Sequence, residues 1–255
     1  MRENPVRHRL EGGGVSIGTM VTEFATTGVA RLAASAGAEF VLYDMEHTGY
    51  DMGHMRSVLA ATRAADVVPF LRVPDGSYQH VARALDSGAL GVMVPTVGGV
   101  AEARAIAEAS RFPPHGRRGF GIWRHDWHPG GVGPTTEHLN GQVMTLVQIE
   151  TTGGLDAVEE IAAIDGVDVL WIGHFDLSIS LGVPGEFESD VFVAAVDRVL
   201  AAGARSGKPV GQVCSSVAEG KALLGRGFRL LAYAIDVPLY EDALRAGVAG
   251  LRDGF

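Results

Sequence analysis

Short β-branched runs alternate with Ala-rich segments along nearly the whole chain, and the apolar residues of those segments recur at helical spacing. The strand candidates are residues 15–21, 40–45, 68–73, 91–95, 143–150, 167–173, 208–213 and 230–235. Helical patterns follow at 24–37, 53–65, 78–87, 100–110, 155–164, 190–206, 216–226 and 238–249. Strict alternation implies parallel strands joined by crossover helices, because parallel neighbours cannot be linked by a tight turn. Eight such units close into a (β/α)8 barrel, and the 255 residues match the ~250 typical of one. The rival is an open doubly wound sheet. Its usual G-x-G-x-x-G phosphate loop between the first strand and first helix does not occur here. The predicted fold is therefore a single α/β TIM barrel spanning residues 1–255.

The rhythm breaks at about 112–142, a stretch rich in Gly, Pro, His and Trp that reads as a functional loop or an irregular insert. The N-terminal MRENPVRHRLEGGG is polar and Gly-rich and lacks the apolar core of a signal peptide. No apolar run approaches the ~20 residues of a membrane span. A net charge of −9 opposes binding to nucleic acid or anionic lipid. The single cysteine, Cys214, cannot form an internal disulfide and sits in an apolar run, as a plain core residue would. These features fit a cytoplasmic protein without a membrane or nucleic-acid partner.

Chemistry-bearing residues gather at one end of the apolar strands, where barrel enzymes place their active sites. Strand two runs into Asp44, Glu46 and His47. Strand three ends at Arg72, strand five at Gln148 and Glu150, and strand eight at Asp236. Strand six passes through Gly173 into His174, Phe175 and Asp176. Glu150 and Asp176 come from adjacent strands and suit a hard cation such as Mg²⁺ or Mn²⁺; capping of the following helices is the alternative use. Arg72 has the reach to clamp a carboxylate, or to pair with a neighbouring Asp. His47, an imidazole beside strand-end carboxylates, suits a general base.

The stretches VLYDMEHTGYD, PFLRVP, ALDSGALGVMVPTV, ARAIAEASRFPPHGRRGFG, VQIET and IDGVDVLWIGHFDLSISLG resemble the HpcH/HpaI aldolases, in family order across most of residues 15–215. This family includes class II pyruvate aldolases. The resemblance implies a phosphoenolpyruvate/pyruvate-type barrel that cleaves or forms 4-hydroxy-2-oxo acids through a pyruvate-type enolate. It implies a divalent metal, Mg²⁺ or Mn²⁺ with Co²⁺ as a further candidate, and a 2-oxo acid and an aldehyde as small-molecule partners. It also implies a homohexamer, a trimer of dimers, with the last helix exchanged between subunits. By the same resemblance, Glu150 and Asp176 hold the metal, His47 accepts the proton, Arg72 stabilises the enolate and Gln148 binds substrate. Asp86 falls on a carboxylate that raises the basicity of the His, with Asp44 a second candidate. Asp86 ends a helix, which puts it at the opposite face of the barrel, so it is expected to reach a site through an unusual loop path or from a neighbouring subunit.

Two departures stand out. A Pro and a small residue usually precede the sixth-strand Asp in the family; here they are His174 and Phe175, beside Gly173 in the expected substrate pocket. After Arg117, Arg118, Gly119 and Phe120, the residues Trp123, His125, Trp127 and His128 leave the pattern and are candidates for shaping the aldehyde site or for subunit packing. No Schiff-base lysine is expected, since Lys208 and Lys221 are the only lysines and neither ends a strand. Decarboxylation of oxaloacetate through the same enolate is the nearest alternative activity. A non-catalytic binding role is the more distant one.

Overall fold

The computed structural model describes residues 3–121 and 127–253. Its strands are β1 (Ser16–Val21), β2 (Phe40–Asp44), β3 (Val68–Arg72), β4 (Gly91–Val94), β5 (Met144–Ile149), β6 (Val169–Ile172), β7 (Val210–Cys214) and β8 (Leu230–Ile235). They pair in parallel in chain order, and β8 returns to β1 to close the predicted (β/α)8 barrel. The helices are α1 (Pro5–Glu11), α2 (Val29–Ser35), α3 (Met52–Thr62), α4 (Tyr78–Asp86), α5 (Val100–Ser110) and α6 (Val132–Gln142). The others are α7 (Thr152–Asp156), α8 (Val158–Ala162), α9 (His174–Ser180), α10 (Asp190–Ser206), α11 (Val217–Arg226) and α12 (Asp236–Arg252).

Strand pleating sets two cores, because successive side chains point to opposite faces. Phe40, Leu42, Val68, Phe70, Leu146, Val169 and Trp171 fill the barrel interior. Their neighbours Val41, Tyr43, Leu71, Val147, Leu170 and Ile172 pack outward beneath the helices. The interior is filled by matching large residues against glycine. Phe40 and Phe70 stack with ring centroids 5.0 Å apart. A Cβ on Gly18 would lie 2.6 Å from Phe40 Cδ1, and one on Gly91 2.7 Å from Phe70 Cε1, so neither position tolerates a side chain.

Helix starts follow capping chemistry. Asp51 accepts a hydrogen bond from His54 N at 2.8 Å, and the Ser77, Ser189 and Ser216 side chains cap α4, α10 and α11. Gly207, at φ +70°, ends α10 in the left-handed conformation that suits glycine.

Three departures from the sequence reading have physical causes. First, the polar N-terminus contains α1. Asn4 caps it by accepting from Arg7 N, and Pro5 opens it. Val6 and Leu10, one turn apart, then plug the base of the barrel interior. Each contributes roughly 1.5–3 kcal/mol by burial. Second, the irregular 112–142 stretch ends in α6, which starts after Gly131 and buries Thr135 and Gln142. Third, the helix expected from residue 24 begins only at Val29. The backbone N–H groups of Glu23 and Phe24 bond instead to Asp236, at 3.0 and 2.7 Å.

Candidate active site

The inward parity of the strands carries on past their ends. Asp44 follows Phe40 and Leu42 at two-residue spacing, and Arg72 follows Val68 and Phe70. Gln148 and Glu150 follow Met144 and Leu146, and Gly173 follows Val169 and Trp171. The polar residues therefore cap the barrel interior, where an apolar side chain would otherwise continue the stack.

Arg72 and Asp44 form a bidentate pair. Arg72 Nε donates to Asp44 Oδ1 at 2.7 Å and Nη2 to Oδ2 at 2.9 Å. Arg72 Nη1 lies 3.1 Å from Glu46 Oε2. That ionic contact lacks hydrogen-bond geometry, so the buried Oε2 has no donor. Burial favours loss of the Arg72 proton, but the bond to Asp44 and the charges of Asp44, Glu46 and Glu150 outweigh it and raise its pKa. Burial also pushes the Glu46 carboxyl up, aided by Glu150 and Asp44 and opposed by Arg72 and His47.

Glu150 is 2% exposed. Its Oε1 accepts from Thr96 N at 2.5 Å, and its Oε2 from Gln148 Nε2. Thr96 turns that N–H inward by adopting φ +52°, a backbone cost typical of functional sites. Burial raises the pKa of Glu150, with Asp176 adding to the rise, while the Gln148 and Thr96 bonds and Arg72 oppose it. A Cβ on Gly173 would fall on Glu150 Oε2 and 2.9 Å from Gln148 Nε2. Glycine is needed there so that β6 can approach the carboxylate. Gln148 Oε1 is buried without a donor. Asp176 lies in the first turn of the short α9, exposed at the mouth.

A cavity of about 180 Å³ opens among these groups, lined by His47, Arg72, Gln148, Gly173, His174, Phe175 and Asp176 above an apolar floor. Among the described residues no set of three or more His, Cys, Asp or Glu side chains is arranged around one point as metal ligands. What stands there is a carboxylate pair on neighbouring strand ends with two buried oxygens nearby that lack hydrogen-bond donors, Gln148 Oε1 and Glu46 Oε2.

The HpcH/HpaI aldolase/citrate lyase family matches residues 22–243. The chain belongs to that family. It is 34% identical over 259 residues to a hydroxypyruvate/pyruvate aldolase of Paraburkholderia phytofirmans, covering 98% of each chain. It is 31% identical to a 2-keto-3-deoxy-L-rhamnonate aldolase of Shigella sonnei, over 98% of this chain and 94% of the other. The solved structure of an HpcH/HpaI family protein from Burkholderia cenocepacia superposes with a TM-score of 0.90 at 33% identity, covering 98% of this chain and 99% of that one. The named relatives are aldolases, and the chain is accordingly a carbon–carbon lyase.

The family's expected site residues divide spatially. Asp44, Arg72, Gln148, Glu150 and Gly173 meet at the barrel mouth with Asp176. His47 stands at the rim with its side chain 64% exposed, its Nε2 3.7 Å from Glu46 Oε2. Asp44 bonds the His47 backbone N–H at 3.3 Å rather than its ring. Asp86 lies at the far end of α4, where it accepts from Arg118 Nη2 at 2.6 Å and Nε at 3.2 Å. Within this chain the carboxylate beside the His47 ring is Glu46, a residue noted at the strand end but given no role. Two-residue spacing beyond Asp44 was the signal for it. The inward-turned Thr96 N–H had no sequence signal.

Asp236 accepts from Thr22 N, Thr22 Oγ1, Glu23 N and Phe24 N, which holds the β1–α2 loop. Burial opposes its charge, but these donors prevail and lower its pKa. Cys214 is buried, and burial with the charge of Glu219 raises its thiol pKa, as for an inert core residue. Trp127 packs edge-on against Phe120 at 5.6 Å, and His128 N donates to Thr135 Oγ1 at the start of α6. Trp123 and His125 lie outside the described residues.

Proposed function

We propose that this chain is a divalent-metal-dependent aldolase that cleaves and forms 4-hydroxy-2-oxo acids through the enolate of a 2-oxo acid. The observation that carries the reading is the pair Glu150 and Asp176 on adjacent strand ends, with Gly173 held against Glu150 and Gln148 Oε1 left without a donor. Hard oxygen donors and surplus negative charge fit Mg²⁺ or Mn²⁺, with Co²⁺ a further candidate, and substrate and water oxygens complete the shell. When bound, such a cation supplies Lewis-acid stabilisation of the enolate's charge.

The chain's own groups do the rest. Arg72 is locked by Asp44 and Glu46, so its guanidinium is oriented before substrate arrives and meets the developing enolate charge without reorganisation. Gln148 Nε2 holds Glu150 in place, and its free Oε1 accepts from a donor on the substrate or its water. In cleavage, His47 takes the proton of the 4-hydroxyl at the rim, the C3–C4 bond breaks and the aldehyde leaves. In synthesis the same imidazole returns the proton.

The C-terminal helix supports exchange between copies. No residue of α12 is buried, and Tyr240, Leu244 and Leu251 are exposed. An apolar groove lined by Ile17, Val29, Leu32 and Ala33, and at one side by Leu239 and Tyr240 of the chain's own α12, lies on the outer face of β1 and α2. A partner's α12 fits that groove, which is the arrangement a hexamer of exchanged dimers requires. Among the described residues no helix is long and apolar enough to cross a membrane, and the unbridged Cys214 accords with a cytoplasmic place.

The test is solvent exchange. With Mn²⁺ or Mg²⁺ in D₂O, the methyl protons of pyruvate should exchange, and chelation should stop it. Absence of metal-dependent exchange would remove the enolate reading.

A further inference from the structure

We infer that the aldehyde this site accepts carries an apolar body, aromatic or branched aliphatic, seated against Phe175 at the start of α9 and Ile235 at the end of β8. The inference rests on the aldolase reading above and names its second substrate class.

The mouth is chemically lopsided. The β2–β5 side carries His47, Arg72 and Gln148, whereas Met20, Val213 and Ile235 line the β7–β8–β1 side of the same cavity, and His174, Phe175 and Asp176 stand between them at the start of α9. Phe175 is 61% exposed, although it directly precedes Asp176. Its ring is not loose. It packs against His174 at 4.3 Å and Phe187 at 5.5 Å, and Phe187 packs against the buried Phe192 at 5.3 Å. An anchored ring left facing a cavity is apolar surface without a covering group.

Charge points the same way. Among the described residues lining the cavity, Arg72 is the one guanidinium, and Asp44 and Glu46 already engage it. A terminal carboxylate or phosphate would find no partner on this wall. The hydroxyls of a sugar-like aldehyde would face Val213 and Ile235 unpaired. In the joining step, C3 of the enolate bonds to the aldehyde carbon, the carbonyl π pair moves to oxygen, and that oxygen takes one proton to become the 4-hydroxyl. No oxidant or reductant is needed.

The experiment compares kcat/KM for 3-phenylpropanal, glyceraldehyde and succinate semialdehyde, with wild-type enzyme, pyruvate and Mn²⁺. The apolar aldehyde should be preferred over both by about tenfold or more. Phe175→Ala and Ile235→Ser should each bring the preference towards parity. Saturation-transfer NMR with the unreactive 3-phenylpropan-1-ol should show contact in the wild type that weakens in Phe175→Ala. A wild-type preference for glyceraldehyde or succinate semialdehyde overturns the inference, as does a preference unchanged in both variants. So does a Phe175→Ala variant whose oligomeric mass changes while its preference does not, because the ring would then cover a subunit contact. In all three outcomes wild-type pyruvate exchange in D₂O survives and the aldolase reading stands. Loss of that exchange in the wild type brings down both.

Discussion

The two ends of the barrel each hold a buried charge cluster, and the clusters are built to opposite rules. At the base, Asp168 accepts from Arg7 Nη1 at 3.0 Å, Arg111 Nη2 at 2.5 Å and Thr145 N at 2.7 Å. Arg111 also reaches Ser110 Oγ, Thr145 Oγ1 and Val143 O. One carboxylate meets two guanidiniums there, and neither side-chain set appears among the unpartnered buried atoms. At the mouth, Asp44 and Glu46 pair with Arg72 while Glu150 and Asp176 have no cation of their own among the ion pairs of the described residues, and two buried oxygens lack hydrogen-bond donors. The base cluster is complete and ties α1, α5, β5 and β6 together. The mouth cluster is incomplete, and its surplus negative charge is what a cation and a substrate would balance. Completeness, more than burial or residue type, separates a structural ion cluster from a site.

Four substitutions test that contrast, in falling order of expected effect. Glu150→Gln should lower metal-dependent pyruvate exchange on the order of 10³-fold. Its metal-free melting temperature should hold or rise, because the lost charge was costly to bury. An unaltered exchange rate would show that Glu150 is no ligand. Asp168→Ala strands two guanidiniums and should cost about 3 kcal/mol in denaturant unfolding. Exchange per folded molecule should be unchanged, and a loss of exchange at full stability would invert the contrast. Gly173→Ala should slow exchange by about 10- to 100-fold with little change in melting temperature, because its Cβ displaces the Glu150 carboxylate. Crystallography of the variant should show Glu150 turned away from Gln148.

The smallest effect is pH-dependent. Glu46 and Glu150 have raised pKa values, so the folded chain keeps protons that the unfolded chain has already lost. Each therefore withdraws stability as pH rises from the ordinary carboxylate value through its raised one. Metal-free Glu46→Gln should gain in melting temperature relative to wild type as pH rises above the ordinary carboxylate range, and the gain should grow until Glu46 is ionised in the folded chain as well. A gain that shrinks with rising pH would mean that Arg72, not burial, sets the Glu46 charge.

Much of this was legible in the chain itself. Alternating β-branched and Ala-rich runs sufficed for the barrel, because both patterns are local and repeat eight times. The strand ends gathered Asp44, Arg72, Gln148 and Glu150 at one face, and two-residue parity along 40–44, 68–72 and 144–150, also present in the residue order, turns them inward. The α1 signal was present as well: Asn4 and Pro5 form a cap and first-turn pair, overlooked beside the Gly-rich run. Asp86 was expected at the far face because its helix runs back down the barrel, and there it pairs with Arg118.

Other features depended on packing at a distance. Ile235 reaches the cavity because β8 carries an irregularity after Ala232, where Ala234 takes φ +55° and the pairing with β1 shifts so that Met20 faces Ile235. By parity alone, position 234 would have faced inward. Such a bulge arises where the first and last strands, paired from Ser16 to Leu230, must still close one ring, and no local pattern encodes it. The Thr96 N–H on Glu150 and the lone oxygens of Gln148 and Glu46 are likewise relations between strands. Residue order settled which side chains point into the barrel; only closure of the ring decided which of them were left without partners.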